Sequence, residues 1–196
     1  CMVDYAFHLI VARADEQTLG QDLPALIHDG YTSIKVYMTY EGLKLSDYEL
    51  LKVLELTRRE RAQVMVHAEN DGIIRYMTEA MEAQGITEPR GHALSRPMLA
   101  EREATQRAIT LAELMDQPIT VVHVSNRGAM EEIRKAQAMR LKVVAETCPQ
   151  YLVLTAKDLD GLNMEGEKLI CSPPPRDEDS QLACWEGLQQ GVLSLF

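Results

Sequence analysis

The chain has 196 residues, 46% apolar and 26% charged, which is enough for one globular domain with a sizeable core. Its net charge of −10 disfavours nucleic acid and anionic membrane surfaces as partners. No apolar run approaches the ~20 residues of a membrane span, and Asp4 and His8 interrupt any signal-like stretch at the start.

Alternating β-rich and helical stretches are expected along the chain. The β-rich runs are 2–9, 33–38, 63–67, 119–124, 142–146 and 168–171, with Val, Ile, Tyr and Met and few charges, as strands buried on both faces require. A helix is expected over 46–61, opened by a Ser46-x-x-Glu49 capping box and carrying Leu50, Leu51, Leu54 and Leu56 near helical spacing. A second covers 101–115, with Ala104, Ala108, Leu111, Ala112 and Met115 on one stripe; further helices cover 128–139 and 179–190. The longest irregular stretch, 85–97, holds Gly85, Pro89, Gly91 and Pro97, and a loop of that length is often functional. No repeats, low-complexity tracts or linkers interrupt the pattern.

Strand–helix alternation implies a parallel sheet, either doubly wound or closed as a (β/α)₈ barrel. Lys35 lies within its run, whereas His67, His123 and Ser172 fall at or just beyond the ends of theirs. Polar residues at several strand ends converge at a barrel mouth, so the expected fold is α/β, a (β/α)₈ TIM barrel. The runs are too few to close it, so residues 1–196 are expected to form one partial catalytic barrel domain, and Cys rather than Met at position 1 fits a piece of a longer chain.

Lys35 stands in Ser33-Ile-Lys-Val-Tyr-Met38, and a charged Lys in an apolar parallel strand is costly unless paired or modified. Two readings follow: an ammonium paired with a carboxylate, or a neutral amine that has captured carbon dioxide as an anionic carbamate able to bridge two cations. His67 and His123 each end a strand run, as structural residues or as ligands of the kind zinc takes. His8 could line the same site, and His92 in the long loop is surface or substrate-adjacent. Tyr40 follows the Lys35 run and is either a surface aromatic or a donor to a developing oxyanion; Tyr37 reads as core packing. Cys171-Ser-Pro-Pro-Pro-Arg176 is a stiff segment that could present Ser172 to a ligand amide. The cysteines, Cys1, Cys148, Cys171 and Cys184, form no Cys-x-x-Cys pair and read as reduced thiols of a cytoplasmic protein. Cys148 has no base assigned to it and is not read as a nucleophile.

Taken in order, Gly30-Tyr-Thr-Ser-Ile-Lys-Val-Tyr-Met-Thr-Tyr40, Val66-His-Ala-Glu-Asn70, Gly91-His-Ala-Leu-Ser-Arg-Pro97, His123-Val-Ser125, Glu146-Thr-Cys-Pro-Gln-Tyr-Leu152 and Ser172-Pro-Pro174 resemble the hydantoinases and dihydropyrimidinases of the amidohydrolase superfamily. The resemblance implies a metal-bearing barrel with a small β-sandwich, and hydrolysis of a cyclic amide or ureide to an N-carbamoyl amino acid. It implies two divalent ions, zinc foremost, with manganese or iron fitting the same ligands, bridged by carboxylated Lys35 and bound by His67 and His123. It makes Tyr40 the catalytic and substrate-contacting tyrosine, and Ser172 the residue whose main chain contacts the ring amide. It further implies a homo-oligomer, a tetramer. Pro175 stands where the family usually has Leu. The family's His-x-His pair and Ser-Asp-His segment do not occur in this sequence, so the expectation is the middle of the enzyme, inactive by itself. The alternatives are an allantoinase or dihydroorotase-type amidohydrolase, or a non-catalytic relative.

Overall fold

The computed structural model describes residues 2–160 and 162–194. Five strands, β1 (Leu9–Ile10), β2 (Ser33–Tyr37), β3 (Gln63–His67), β4 (Ile119–Val121) and β5 (Val143–Ala145), form one parallel sheet in sequence order. The connections carry α1 (Leu23–His28), α2 (Asp47–Glu60), α3 (Asp71–Ala83), α4 (Pro89–Ser95), α5 (Met98–Met115) and α6 (Arg127–Ala138), and α7 (Pro149–Val153) and α8 (Glu178–Gln190) follow β5. Each strand pairs with its sequence neighbour, so the winding never reverses. Right-handed crossovers of that kind deliver the helices to one side of a sheet.

Alternation along the strands shows the consequence. Ile34 and Val36 of β2, Val64 and Val66 of β3, and Ile119 and Val121 of β4 are buried in a core shared with Leu50, Val53 and Leu54 of α2, Ala104 and Ala108 of α5, and Met130 and Ile133 of α6. The residues between them point to the opposite face, where Ser33, Lys35, Tyr37, Gln63 and Met65 are half-buried. That face is polar and internally bonded: Gln63 donates to Thr120 Oγ1 at 2.9 Å, and Ser33 to Met65 Sδ at 3.3 Å. Parallel register sets Lys35 beside Met65, and Tyr37 beside His67. The reactive residues therefore lie on the face without the helical core.

Local signals place the helices. The Ser46–Glu49 capping box forms, with Glu49 N donating to Ser46 Oγ at 3.3 Å and Ser46 N to Glu49 Oε2 at 2.8 Å. At the other end Arg61 closes α2 in the left-handed region, at φ 58°. Asn70 and Asn126, each three residues after a strand-end histidine, cap α3 and α6 by accepting from Ile73 N and Ala129 N, both at 3.0 Å. The same short turn thus ends a strand, presents His67 or His123, and starts a helix.

Several expectations are corrected. In the 2–9 run only Leu9 enters a strand, because β1 has β2 as its one neighbour. Met2, Val3, Tyr5 and Phe7 stay exposed. The 168–171 run forms no strand: residues 162–169 wind as a 3₁₀ helix, and Ile170 is exposed without a ladder to join. The 85–97 stretch contains α4, with Pro89 in its first turn. The amphipathic helix α3, announced by Asn70, was not among the expected elements.

Ile133 is fully buried under the sheet. Ile133→Ala is expected to lower stability by about 2–5 kcal/mol, read from the denaturant midpoint.

Candidate active site

β2 and β3 end side by side, and the ends of β3 and β4 bring two imidazoles together. His67 Nδ1 lies 2.9 Å from His123 Nε2, and the ring centroids are 4.6 Å apart, edge to face. Tyr37 stacks on His67 at 5.6 Å, and the Tyr40 ring sits 4.9 Å from it. Tyr40 and His123 both hold left-handed backbone, φ 78° and 46°, which is uncommon for non-glycine residues and aims each ring back over the strand ends. Lys35 Nζ lies 4.8 Å from the Tyr37 ring centre.

Desolvation governs the charges here. Burial pulls the Lys35 amine down to about 8, against the opposing pull of Glu146 and Cys148. Burial, reinforced by Lys35 and Arg96, lowers His67 to about 3. His123 is held well below the usual imidazole range by burial and then by His67 and Lys35. Both imidazoles are therefore neutral at physiological pH, and Lys35 has an appreciable free-amine fraction. Burial raises the Tyr40 phenol, so it stays protonated, with Ser172 and Arg96 pulling the other way.

The surrounding residues come from the connections. Glu69, wholly buried, accepts from His67 Nε2 at 2.8 Å. Because His67 is neutral, this is a hydrogen bond to an imidazole rather than an ion pair. α4 contributes His92 and Arg96. His92 Nε2 lies 2.8 Å from the Cys171 carbonyl and 3.2 Å from Ser172 Oγ, and Arg96 stands 5.9 Å over the Tyr40 ring and 3.9 Å from Glu69. Ser172 thus reaches the site through α4 and not from a strand end. Beneath it Arg176 Nη2 donates to Glu101 Oε2 at 3.0 Å and its Nε to Ser125 Oγ at 2.9 Å; Ser125 N donates to Glu101 Oε1 at 2.8 Å. Arg176 also donates to the Arg96 carbonyl, which ties α4 to this buried network.

Lys35, His67, His123, Tyr40 and Ser172 are thus brought together. His8 is not. It pairs with Ser33 Oγ at 2.7 Å, at the start of β2 and hence the far end of the sheet. Cys148 precedes α7, and burial raises its thiol, as expected of a residue that is not a nucleophile. Among the described residues Cys148, Cys171 and Cys184 are free thiols, and no helix is long and apolar enough to cross a membrane.

Among the described residues no three His, Cys, Asp or Glu gather as a metal-binding group, and the donor set must be judged with Lys35 included. Two neutral imidazoles facing each other at 2.9 Å are close to the spacing of two nitrogens on one tetrahedral zinc, about 3.3 Å from bonds of about 2.0–2.1 Å. His123 Nδ1 is buried with no hydrogen-bond partner among the described residues. These donors fit a divalent transition metal.

The comparisons with known proteins agree in pattern. A D-hydantoinase of Rhizobium radiobacter is 40% identical over 192 residues, 97% of this chain and 42% of its own length. The structure of a dihydropyrimidinase from Brevibacillus agri NCHU1002 superposes with a TM-score of 0.94 at 41% identity, over 97% of this chain and 42% of the other. The chain belongs to the hydantoinase/dihydropyrimidinase family. It spans about two fifths of the length of the relatives it matches. No protein-family model matches it. A dihydroorotase from Campylobacter jejuni shares the fold at a TM-score of 0.65 and 17% identity, over 89% of this chain and 46% of the other.

Within this family member, the sequence reading left Glu69, Arg96, Glu101 and Arg176 without roles. The available signals were an acid inside Val66-His-Ala-Glu-Asn70 and an arginine in each of the two proline-bearing segments, Arg96 before Pro97 and Arg176 after Pro175. Glu101 and Arg176 are 3% and 6% exposed, so removing one strands the other. Arg176→Met is expected to cost about 3–5 kcal/mol in a denaturant titration, and the double substitution with Glu101→Leu to recover most of it. A single-variant loss below about 1 kcal/mol would show the pair to be dispensable.

Proposed function

We propose that the full-length protein is a metal-dependent cyclic amidohydrolase, opening a hydantoin or dihydropyrimidine ring to an N-carbamoyl amino acid. The observation that carries this is the meeting of a low-basicity lysine, two facing neutral imidazoles and a protonated tyrosine at the ends of parallel strands. The unreversed strand order, with the helical core on one face, supports reading residues 1–196 as part of a (β/α)₈ barrel, since a doubly wound sheet reverses its order and carries helices on both faces.

Lys35, His67 and His123 would hold two divalent ions, most simply zinc, with manganese or iron suiting the same donors. When bound, such ions supply Lewis-acid activation of water and of the ring carbonyl at neutral pH. The chain's own residues do the rest. The free amine of Lys35 attacks carbon dioxide, forming an N–C bond and releasing a proton to solvent, and so turns a repelled cation into an anionic, two-oxygen ligand. Tyr40 keeps its proton and donates to the oxyanion developing on the ring carbonyl. The Ser172 main chain, braced by His92, holds the ring amide, and the α4 wall with Arg96 restricts water around Tyr40. The proton transfer that the resemblance gives to an Asp has no counterpart in this sequence, where no Ser-Asp-His segment occurs. On the resemblance, we read the enzyme as a cytoplasmic homo-tetramer.

Assay of the full-length protein on hydantoin, dihydrouracil, allantoin and dihydroorotate is expected to show turnover of the first two. Turnover of dihydroorotate alone overturns the assignment in favour of the fold-sharing dihydroorotases, turnover of allantoin alone in favour of an allantoinase, and turnover of none in favour of a non-catalytic relative. Lys35→Ala and His67→Ala are expected to abolish activity and metal retention together, measured by metal analysis of the purified variants. The 196 residues by themselves are expected to show no hydrolysis in the same assay.

A further inference from the structure

We propose that Glu69 is a positioning residue that fixes His67 in its metal-ligating tautomer; this rests on reading Lys35, His67 and His123 as a metal site. Glu69 is wholly buried, and its Oε2 lies 2.8 Å from His67 Nε2. The opposite ring nitrogen, Nδ1, lies 2.9 Å from His123 Nε2. A carboxylate oxygen only accepts, so the single proton of the neutral His67 ring is held on Nε2 and Nδ1 is left as a lone pair. In the metal-free protein His123 Nε2 then supplies the proton between the rings, and His123 Nδ1 is a bare lone pair. That agrees with its burial without a partner among the described residues. The reverse assignment needs a protonated Glu69, a form that burial favours and that Arg96 and Arg176 oppose, and it leaves a buried N–H of His123 unpaired, a rarer defect than an unpaired acceptor. Binding a cation between the rings asks His123 to move its proton to Nδ1, whereas His67 is already prepared.

The backbone around Glu69 is held to match. Asn70 N donates to the Ala100 carbonyl at 3.0 Å, and the Asn70 side chain caps α3. Arg96 faces the carboxylate from α4, its Nε 3.9 Å away. Hydrogen bonding of the outer ring nitrogen to a carboxylate is a general way to orient a ligating histidine and raise its affinity.

The test uses the full-length protein, wild type, Glu69→Gln and Glu69→Ala, with zinc alone as the probe. Chelator competition is expected to show about a 10–100-fold loss of zinc affinity in E69A. A smaller loss is expected in E69Q, whose amide oxygen can still accept from Nε2. In metal-free protein, nitrogen-15 correlation of the histidine ring is expected to show the Nε2–H form of His67 in wild type and a growing Nδ1–H form in E69A. A merely structural Glu69 would lower the thermal midpoint while leaving the zinc affinity and the tautomer of the folded protein unchanged, and that result overturns the proposal. If E69A does not fold, Glu69→Met, of similar volume but without the carboxylate acceptor, decides: wild-type affinity with a wild-type tautomer refutes the role. A wild-type protein that binds no zinc overturns the metal reading along with it.

Discussion

The parallel register of β2 and β3 is the constraint on which the rest depends. Successive side chains alternate faces, so one choice of register sends Ile34, Val36, Val64 and Val66 to the helices and Lys35, Tyr37, Met65 and His67 to the opposite side. A one-residue slip of β2 would put the Lys35 amine into the aliphatic core, and a slip of β3 the His67 imidazole, each exposing two branched side chains. Both consequences are expensive, so the packing of α2, α5 and α6 on one face also fixes the chemistry on the other. The site is thus a product of the core and needs no separate scaffold.

Legibility in the sequence follows the same logic. β2 and β3 were readable almost to the residue because both neighbours of each are strands and their apolar runs have nowhere else to go. The 2–9 and 168–171 runs have the same composition but lack that pairing, and composition cannot report a missing neighbour. Met2, Val3, Tyr5 and Phe7 therefore read as a strand and remain exposed. Lys35 was legible because a charge inside an apolar run stands out, and His67 and His123 because each stands at the end of one. Glu69 and Arg96 were not, because their role depends on which atom each meets across the turn. The Asn70 and Asn126 caps show how close the information was: each lies three residues beyond a site histidine, and each reports where the strand stops and the helix begins.

Desolvation links stability to chemistry. The burial that makes His67 and His123 costly as charged groups also keeps them neutral donors, and it lowers Lys35 to about 8, so a liability of folding becomes a property that a ligand set can use. The buried polar groups divide accordingly. Glu101, Ser125 and Arg176 bond one another in a closed network that ties α5 and the Ser172 segment to the sheet. By contrast, Glu69 Oε1, Arg96 Nε and His123 Nδ1, around the two imidazoles, are buried without partners among the described residues, as are Thr105 Oγ1, Asn126 Nδ2 and Arg134 Nε elsewhere. The three unsatisfied atoms around the imidazoles are a polar cost that a bound ligand can offset.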